Sequence, residues 1–389
     1  MKIAYVSADP GVPAFGRKGC SVHVQEMNRA LLRAGHSVAL LASSFKGFAP
    51  DGLERAGTIV LPRASGALPA AEREQEALAN NTALAESLNS AGLFDLIYER
   101  YSLWSYAGME WARSRSIPGI LEVNAPLIDE QAAYRTLIDR PAAVATLDRA
   151  CGAASAIVAV SDGVAGWLEG FGVESDRIHV IPNGVDPARF HPAITPTLPG
   201  GNEFTVGFTG TLKPWHGLRT LADAFLQAQE RDPLMRLLIV GDGPQRDELE
   251  ASLAQAPCPD RVIFTGAVDP GEVPGLVASM DVAVAPYEDL DDFYFSPLKL
   301  FEYMAAGRAV AASSIGQIPE IISHRSNGLL VPAGDAGELA GALLEMREHP
   351  ALRQSLGAAA RDSVAERHTW DAVAGQLLEI AASPVEATA

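Results

Sequence analysis

One fifteen-residue stretch, FYFSPLKLFEYMAAG at 293–307, holds residue types in an order that suits an anion. Ser296 is a good helix N-cap and Pro297 suits the first helical position, so a helix is expected to begin there. The N–H groups of Leu298 and Lys299 then lie free at the helix start, where geometry and dipole favour negative charge. A cation in the first turn opposes the dipole, and a phosphate seated there reverses the sign of that cost for Lys299. Glu302, one turn on and roughly on the same face, can accept hydrogen bonds from a ribose diol. The plainer alternative is a capped core helix with a solvated Lys–Glu pair.

A second segment, GFTGTLKPWHGL at 207–218, reads as a strand running through a glycine loop into a helix. Gly210, Thr211, Lys213 and His216 would sit near that helix's N-terminal end, again where an anion is favoured. Its bland reading is an ordinary turn packed by Pro214 and Trp215. Two such helix starts in one half point to a diphosphate. A third basic loop, GRKGCSVHVQE, brings Arg17, Lys18 and Gly19 ahead of a helix, where they can face the same anion or form a flexible loop. G-x-G-x-x-G after the first strand, a P-loop, H-E-x-x-H and G-x-S-x-G are all absent from the sequence.

The elements that must position these residues alternate. KIAYVS reads as a buried strand, followed by a Gly/Pro loop and a helix over SVHVQEMNRALLRAG with Ser21 as N-cap and Gly35 at its end. Strands at HSVALLAS, 95–100, 119–123, 156–161 and 178–182 continue the series. Strand–helix alternation of this kind predicts parallel sheets covered by helices. The Pro- and Gly-rich stretch 183–203 reads as the start of a linker, after which a second series begins at EFTVGFTG. Domains are expected at 1–186 and 187–369, with a C-terminal helix segment at 370–389 that crosses back to the first domain. Ligands of such sheets bind beyond the carboxyl ends of the strands.

Composition narrows the function. The chain has 389 residues and a formal charge of −18, with 48 acidic against 30 basic side chains, so a nucleic-acid partner is not expected. Hydrophobic residues at 48% are ample for two cores. The opening MKIAYVSADP lacks a signal-peptide core, no run approaches the ~18 apolar residues of a membrane span, and stable membrane insertion is not expected. Cys20, Cys151 and Cys258 fit no disulfide or zinc spacing, so each is read as a small buried hydrophobe in a reducing cytoplasm. The Ala/Gly/Arg-rich style suggests a high-GC bacterium. Among other groups, His23 lies near the expected cleft mouth or is a buried, satisfied histidine. Glu99 and Arg100 end a strand, so they face the cleft or pair with each other. Tyr101 and Trp104 stack on a sugar or fill the core. The acidic loop EDLDD at 288–292 is solvated, or it attracts a cationic acceptor.

Taken together, the residues resemble the family 4 glycosyltransferases of GT-B fold. The resemblance runs over essentially the whole chain through GRKG, IPNGVD at 181–186, FTGTLKPWHG, LLIVGDGP, FTGAV, the 294–302 segment, GQIPEII at 316–322 and NGLLV at 327–331. It implies two Rossmann-like doubly wound parallel-sheet domains of α/β class facing across a cleft. It implies a retaining transfer of a sugar from a nucleotide-diphospho-sugar to a small-molecule or glycan acceptor, with no tightly bound cofactor and no metal. By likeness, Ala267 and Val268 hold the base, Glu302 the ribose, and Gly210, Thr211, Gly241, Ser296, Pro297, Leu298 and Lys299 the diphosphate side, with Lys213 and His216. Arg17, Lys18, Gly19, His23, Glu99 and Arg100 fall to the acceptor side. The family's two glutamates would stand at 294 and 302, but position 294 is Tyr. Its loop Arg and Lys are here Thr211 and His216, which leaves Lys213 and Lys299 to supply charge. Its catalytic polar group after a first-half strand corresponds to Asn124, which orients rather than takes protons. A nucleotide-sugar epimerase, or a non-catalytic binding protein, stands as the alternative.

Overall fold

The computed structural model describes residues 1–382 in two compact units. The first comprises 1–183, 294–296 and the segment from Trp370, and the second comprises 184–293 and 297–369. Residues 383–389 of the expected C-terminal helix segment lie outside the described residues.

In chain order the first unit contains β1 (Lys2–Ser7), α1 (Gly19–Arg33), β2 (Ser37–Ala42), β3 (Gly57–Val60), α2 (Ala70–Ala91), β4 (Leu96–Arg100), α3 (Ala107–Ser114), β5 (Gly119–Val123), α4 (Leu127–Tyr134), α5 (Arg140–Ala153), β6 (Ala156–Ala159), α6 (Asp162–Gly170) and β7 (Ile178–Val180). The second contains β8 (Phe204–Thr209), α7 (Leu218–Arg231), β9 (Met235–Val240), α8 (Arg246–Leu253), β10 (Val262–Gly266), α9 (Val273–Ala278), β11 (Val282–Ala285), α10 (Leu298–Ala305), β12 (Ala309–Ser313), α11 (Ile318–Ile321), β13 (Leu329–Val331), α12 (Ala336–Glu348) and α13 (Pro350–Arg367). Helix α14 (Trp370–Ala382) returns to the first unit.

Both sheets are wholly parallel. Their orders are β3-β2-β1-β4-β5-β6-β7 and β10-β9-β8-β11-β12-β13. The expected pair of doubly wound α/β domains is therefore what the chain forms. Central strands such as β1, β5 and β8 are near-continuous apolar runs because helices cover both faces. In each sheet the chain changes direction between its first and fourth strands. Loops after those strands diverge there and leave room for a ligand.

Helix starts differ from expectation in two places. The ladder of α1 begins at Lys18, whose carbonyl accepts from the N–H groups of Ser21 and Val22. Ser21 is thus a buried residue inside the first turn and not the N-cap. Gly35 ends the helix with φ +83, as its position suggested. Of the three cysteines only Cys151 is buried; Cys20 lies in the partly open first turn of α1 and Cys258 in the loop before β10, so the buried-hydrophobe reading fails for both. The stretch 183–203 is not a loose tether throughout, since Val185 and Phe190 are buried and Val185 bridges to Thr369.

Candidate active site

The second unit builds an anion-ready corner from three chain segments. The loops after β8 and β9 are bonded to each other: Gly210 N–H donates to the Val240 carbonyl, Leu212 N–H to Asp242, and Gln245 N–H to Leu212. Glycine is required where they touch. A Cβ on Gly241, at φ +139, would lie 2.0 Å from the Gly210 carbonyl oxygen. Tyr303 on α10 fixes the strand end, its hydroxyl accepting from Thr209 N–H at 2.7 Å.

Helix α10 delivers Lys299 to this corner. The side chain is only 9% exposed, and its Nζ has no hydrogen-bond partner. Nζ sits 4.0 Å from the Phe208 ring centroid and about one contact from Gly210, whose added Cβ would meet it at 3.1 Å. Burial lowers its pKa to about 7, with Glu302 acting in the opposite sense. The solvated Lys–Glu pair is therefore not what forms: Lys299 is a desolvated amine whose Nζ has no hydrogen-bond partner.

Corrections attach to its neighbours. Helix α10 begins at Leu298, so Pro297 is the cap residue rather than the first helical residue. Ser296 does not cap it. Its hydroxyl accepts from Asn183 N–H at 3.0 Å and its carbonyl from the Asn183 side chain at 2.6 Å, which spends the groups a cap would need. His216 supplies no charge. Its Nδ1 meets the Thr211 carbonyl at 2.6 Å, and a carbonyl only accepts, so Nδ1 carries the proton and Nε2 a lone pair. Burial first, then Lys299 and Lys213, push its pKa down to about 2 against the pull of the Thr211 carbonyl. Lys213 lies half-buried, 5.5 Å from the Trp215 ring. Ala267 and Val268 follow β10, the former exposed and the latter partly so. Asp289, Asp291 and Asp292 are solvent-exposed, as an acidic loop would be.

The first unit carries a cavity of about 500 Å³ at the carboxyl ends of β1, β3 and β4. Asp9, Ser102, Trp104 and Ser105 come from its loops, and Arg73, Glu74 and Asn81 from α2. Asn81 shapes the wall by accepting N–H bonds from Tyr106 and Ala107 at the start of α3. Tyr101 is buried in the core; Trp104 packs partly against it and partly lines the cavity. Asn124 follows β5, half-buried, its Oδ1 without a hydrogen-bond partner.

Glu99 and Arg100 do not pair. Glu99 is wholly buried and accepts from Ser105 Oγ; burial raises its pKa to about 7, opposed by that bond. His23 is not at an open edge. It is 3% exposed, an interior histidine with Nε2 2.9 Å from Glu122 and its ring edge-on to Trp370, but its buried Nδ1 has no hydrogen-bond partner, so it is buried without being fully satisfied. Arg17, Lys18 and Gly19 are exposed at the start of α1. Tyr294, standing where the family has glutamate, donates its hydroxyl to Glu130, and its carbonyl accepts from Ser161 at 2.6 Å.

Sequence reasoning missed the cavity's arginines, Arg63, Arg73 and Arg135. Their only signal was position: Arg63 follows β3, Arg73 lies in the first turn of α2 and Arg135 follows α4, and no strong apolar period announces those helices. Asp9-Pro10-Gly11, after a strand at the switch point, was the findable mark. Among the described residues no group of three or more His, Cys, Asp or Glu could hold a metal ion. Nor is any described helix long and apolar enough to cross a membrane.

Comparison with known proteins agrees with this geometry. Residues 17–189 match the family described as Glycosyltransferase Family 4, and 203–349 match Glycosyl transferases group 1. The chain is 30% identical over 184 residues to the 2-deoxystreptamine glucosyltransferase of Streptomyces kanamyceticus, covering 45% of this chain and 46% of that one. It is 34% identical over 227 residues to the phosphatidyl-myo-inositol mannosyltransferase of Mycolicibacterium smegmatis, covering 57% and 56%. These two matches span about half of each relative's length. A match to the D-inositol 3-phosphate glycosyltransferase of Jonesia denitrificans is 26% identical and covers 96% and 92%. The sucrose-phosphate synthase of Thermosynechococcus elongatus shares the fold, with TM-score 0.75, 24% identity and 98% of both chains covered.

Proposed function

We propose that this chain, whose two halves match the Glycosyltransferase Family 4 and Glycosyl transferases group 1 families and whose fold is GT-B, transfers a sugar, with retention, from a nucleotide-diphospho-sugar to a hydroxyl of a small-molecule or glycan acceptor. One observation carries the donor assignment. Lys299 is a buried ammonium with no hydrogen-bond partner, placed at a helix start beside the Gly210 backbone. The Phe208 ring and Glu302 offset only part of the desolvation that burial imposes on the ammonium, whereas a diphosphate would satisfy it.

In this reading the C-terminal unit binds the donor. The diphosphate lies on Lys299, the N–H groups of Leu298 and Lys299, and the loop of Gly210, Thr211 and Lys213. Glu302 takes the ribose, and the base rests by Ala267 and Val268. Departure of the nucleoside diphosphate builds charge on its terminal phosphate, and donors already aimed there lower the barrier. His216, neutral with a free Nε2 lone pair, accepts a hydrogen bond from a sugar hydroxyl. The N-terminal unit binds the acceptor, and the Asn124 amide orients a hydroxyl. Retention needs no enzyme nucleophile if the acceptor oxygen bonds to the anomeric carbon on the face the phosphate leaves. The C–O bond to phosphate breaks, and the acceptor's proton passes to the departing phosphate oxygen. The products are a glycoside and a nucleoside diphosphate.

The test pairs thermal-shift binding of uridine, guanosine, thymidine and adenosine diphospho-sugars with mass spectrometry of candidate acceptors. Stabilisation by one nucleotide class and a product of unchanged anomeric configuration are expected. Binding without any turnover or hydrolysis would replace this reading with a sugar-nucleotide binding protein.

A further inference from the structure

We infer that the cavity of the first unit takes an acceptor bearing a phosphate ester, held by Arg63, Arg73 and Arg135; this rests on the reading that the first unit binds the acceptor. The three arginines line the cavity from three elements: the loop after β3, helix α2, and the residue following α4. Arginines held on separate elements can each donate to a different oxygen of one phosphate ester, whereas a single arginine suffices to fork a carboxylate.

Formal charge does not decide the matter, because Asp9, Glu74 and Glu130 also line the cavity. What differs is which valences are spent. Glu74 accepts the N–H groups of Ile138 and Asp139, both at 2.9 Å. Asp9 accepts from Gly11 N–H at 2.7 Å, and Glu130 from the Tyr294 hydroxyl. Both oxygens of Glu74 and one each of Asp9 and Glu130 are thus engaged within the fold. The arginines are engaged less. Among the described residues none of the three is ion-paired; Arg73 makes one bond of 3.4 Å to the Leu68 carbonyl and Arg135 one of 3.4 Å to Gln131. Other arginines of the same unit are ion-paired, Arg29 with Glu26, Arg140 with Asp129 and Arg149 with Glu110. In a chain with 48 acidic side chains against 30 basic ones, three arginines without an ion pair in one cavity mark a place for an anion. An amino-sugar would face those three cations.

Calorimetric titration of the full chain with glucose 6-phosphate, glucose, glucuronate and glucosamine, and with myo-inositol 1-phosphate and myo-inositol, reads the inference directly. Each phosphate ester is expected to bind at least about tenfold tighter than its neutral parent, with glucuronate between them and glucosamine no tighter than glucose. Each of Arg63→Gln, Arg73→Gln and Arg135→Gln should remove roughly tenfold of that preference. The side chains are exposed or half-buried, and circular dichroism melts confirm that each variant folds; if one does not, the other two decide. Vesicles of phosphatidylcholine with and without phosphatidylinositol separate the sources. Arginine-dependent binding to the inositol vesicles alone assigns the phosphate to a lipid headgroup, and binding of the soluble esters assigns it to a free compound. Equal affinity for ester and parent, or a preference that survives all three substitutions, overturns the inference. Titration with nucleoside diphosphates keeps the two readings apart. If they bind and phosphate confers no preference, this inference alone falls. If they do not bind while the esters do, the donor assignment falls and the cavity's assignment stands.

Discussion

At the scale of the residue, Lys299 meets two opposed demands. Its burial destabilises the charged form, which lowers its pKa to about 7. Below that value the folded protein carries an unpaired buried cation. The unfolded chain, whose lysine titrates near its ordinary value, binds more protons between about pH 7 and 10.5, so this group's contribution to stability rises with pH across that window. Lys299→Met should therefore raise the melting temperature at pH 6.5 by a few degrees, read by calorimetry, while abolishing transfer. Lys299→Ala should lower turnover by roughly 10²–10³-fold with the far-ultraviolet spectrum unchanged. Binding of a nucleoside diphosphate should weaken as pH rises from 6 to 8, because the ammonium is lost, and Lys299→Arg should flatten that profile. A flat profile in the parent would show that Lys299 does not meet the diphosphate. That Lys299 would stand at a helix start, opposed to the dipole, was legible in the sequence. Its missing partner, and the neutrality of His216, were not, because both depend on Phe208 and Tyr287 closing over them from other elements.

At the scale of the element, the proposed donor corner depends on two interlocked glycine loops. Gly241 and Gly210 both hold φ near +140, and a side chain on Gly241 would enter the space of the Gly210 carbonyl. Gly241→Ala should cost about 1–3 kcal/mol in urea unfolding, from strained backbone before any contact is counted. It should also weaken nucleotide binding, because the loop that moves is the one that carries Thr211. Tyr303→Phe should cost a further 1–3 kcal/mol of the same kind by orphaning Thr209 N–H at the end of β8. The glycine motifs and central strands could be read from the sequence because their apolar runs and punctuation are strong. Helix α2 could not, since only Glu74, Asn81, Leu84 and Leu88 of its 22 residues are buried and its apolar face is faint. Strand β3 is an exposed edge with no alternation, and β13 is three residues long. The cavity's arginines went unread with them, because two sit on or beside those elements. The start of α10 slipped by one residue because Ser296, a cap by type, spends its hydroxyl on Asn183, which is distant in sequence.

At the scale of the whole molecule, the last described helix belongs to the unit that the chain builds first. Trp370 is 2% exposed and packs its ring 4.9 Å from that of His23 on α1, with Val373, Ala374 and Leu377 buried beside it. Arg33 and Asp371 add an ion pair at 2.7 Å, but both side chains are largely solvated. Sequence showed a helix from Trp370; what it packs on depends on a partner more than 300 positions away. Area and screening rank the two contacts. Losing a buried tryptophan side chain costs about 3–5 kcal/mol, while an exposed ion pair is worth about 0–1 kcal/mol. Trp370→Ala should therefore destabilise the first unit severely and Asp371→Ala barely. Hydrogen exchange is the measurement that separates a local from a global effect, since the two units have their own sheets and need not unfold together. In Trp370→Ala, amides of α1 and β5 should lose protection, the latter because Glu122 pairs with the histidine that the tryptophan covers. Amides of β8 and β9 should keep theirs. Equal loss in both sheets would mean that the second unit draws its stability from the last helix as well, and that the chain folds as one cooperative block.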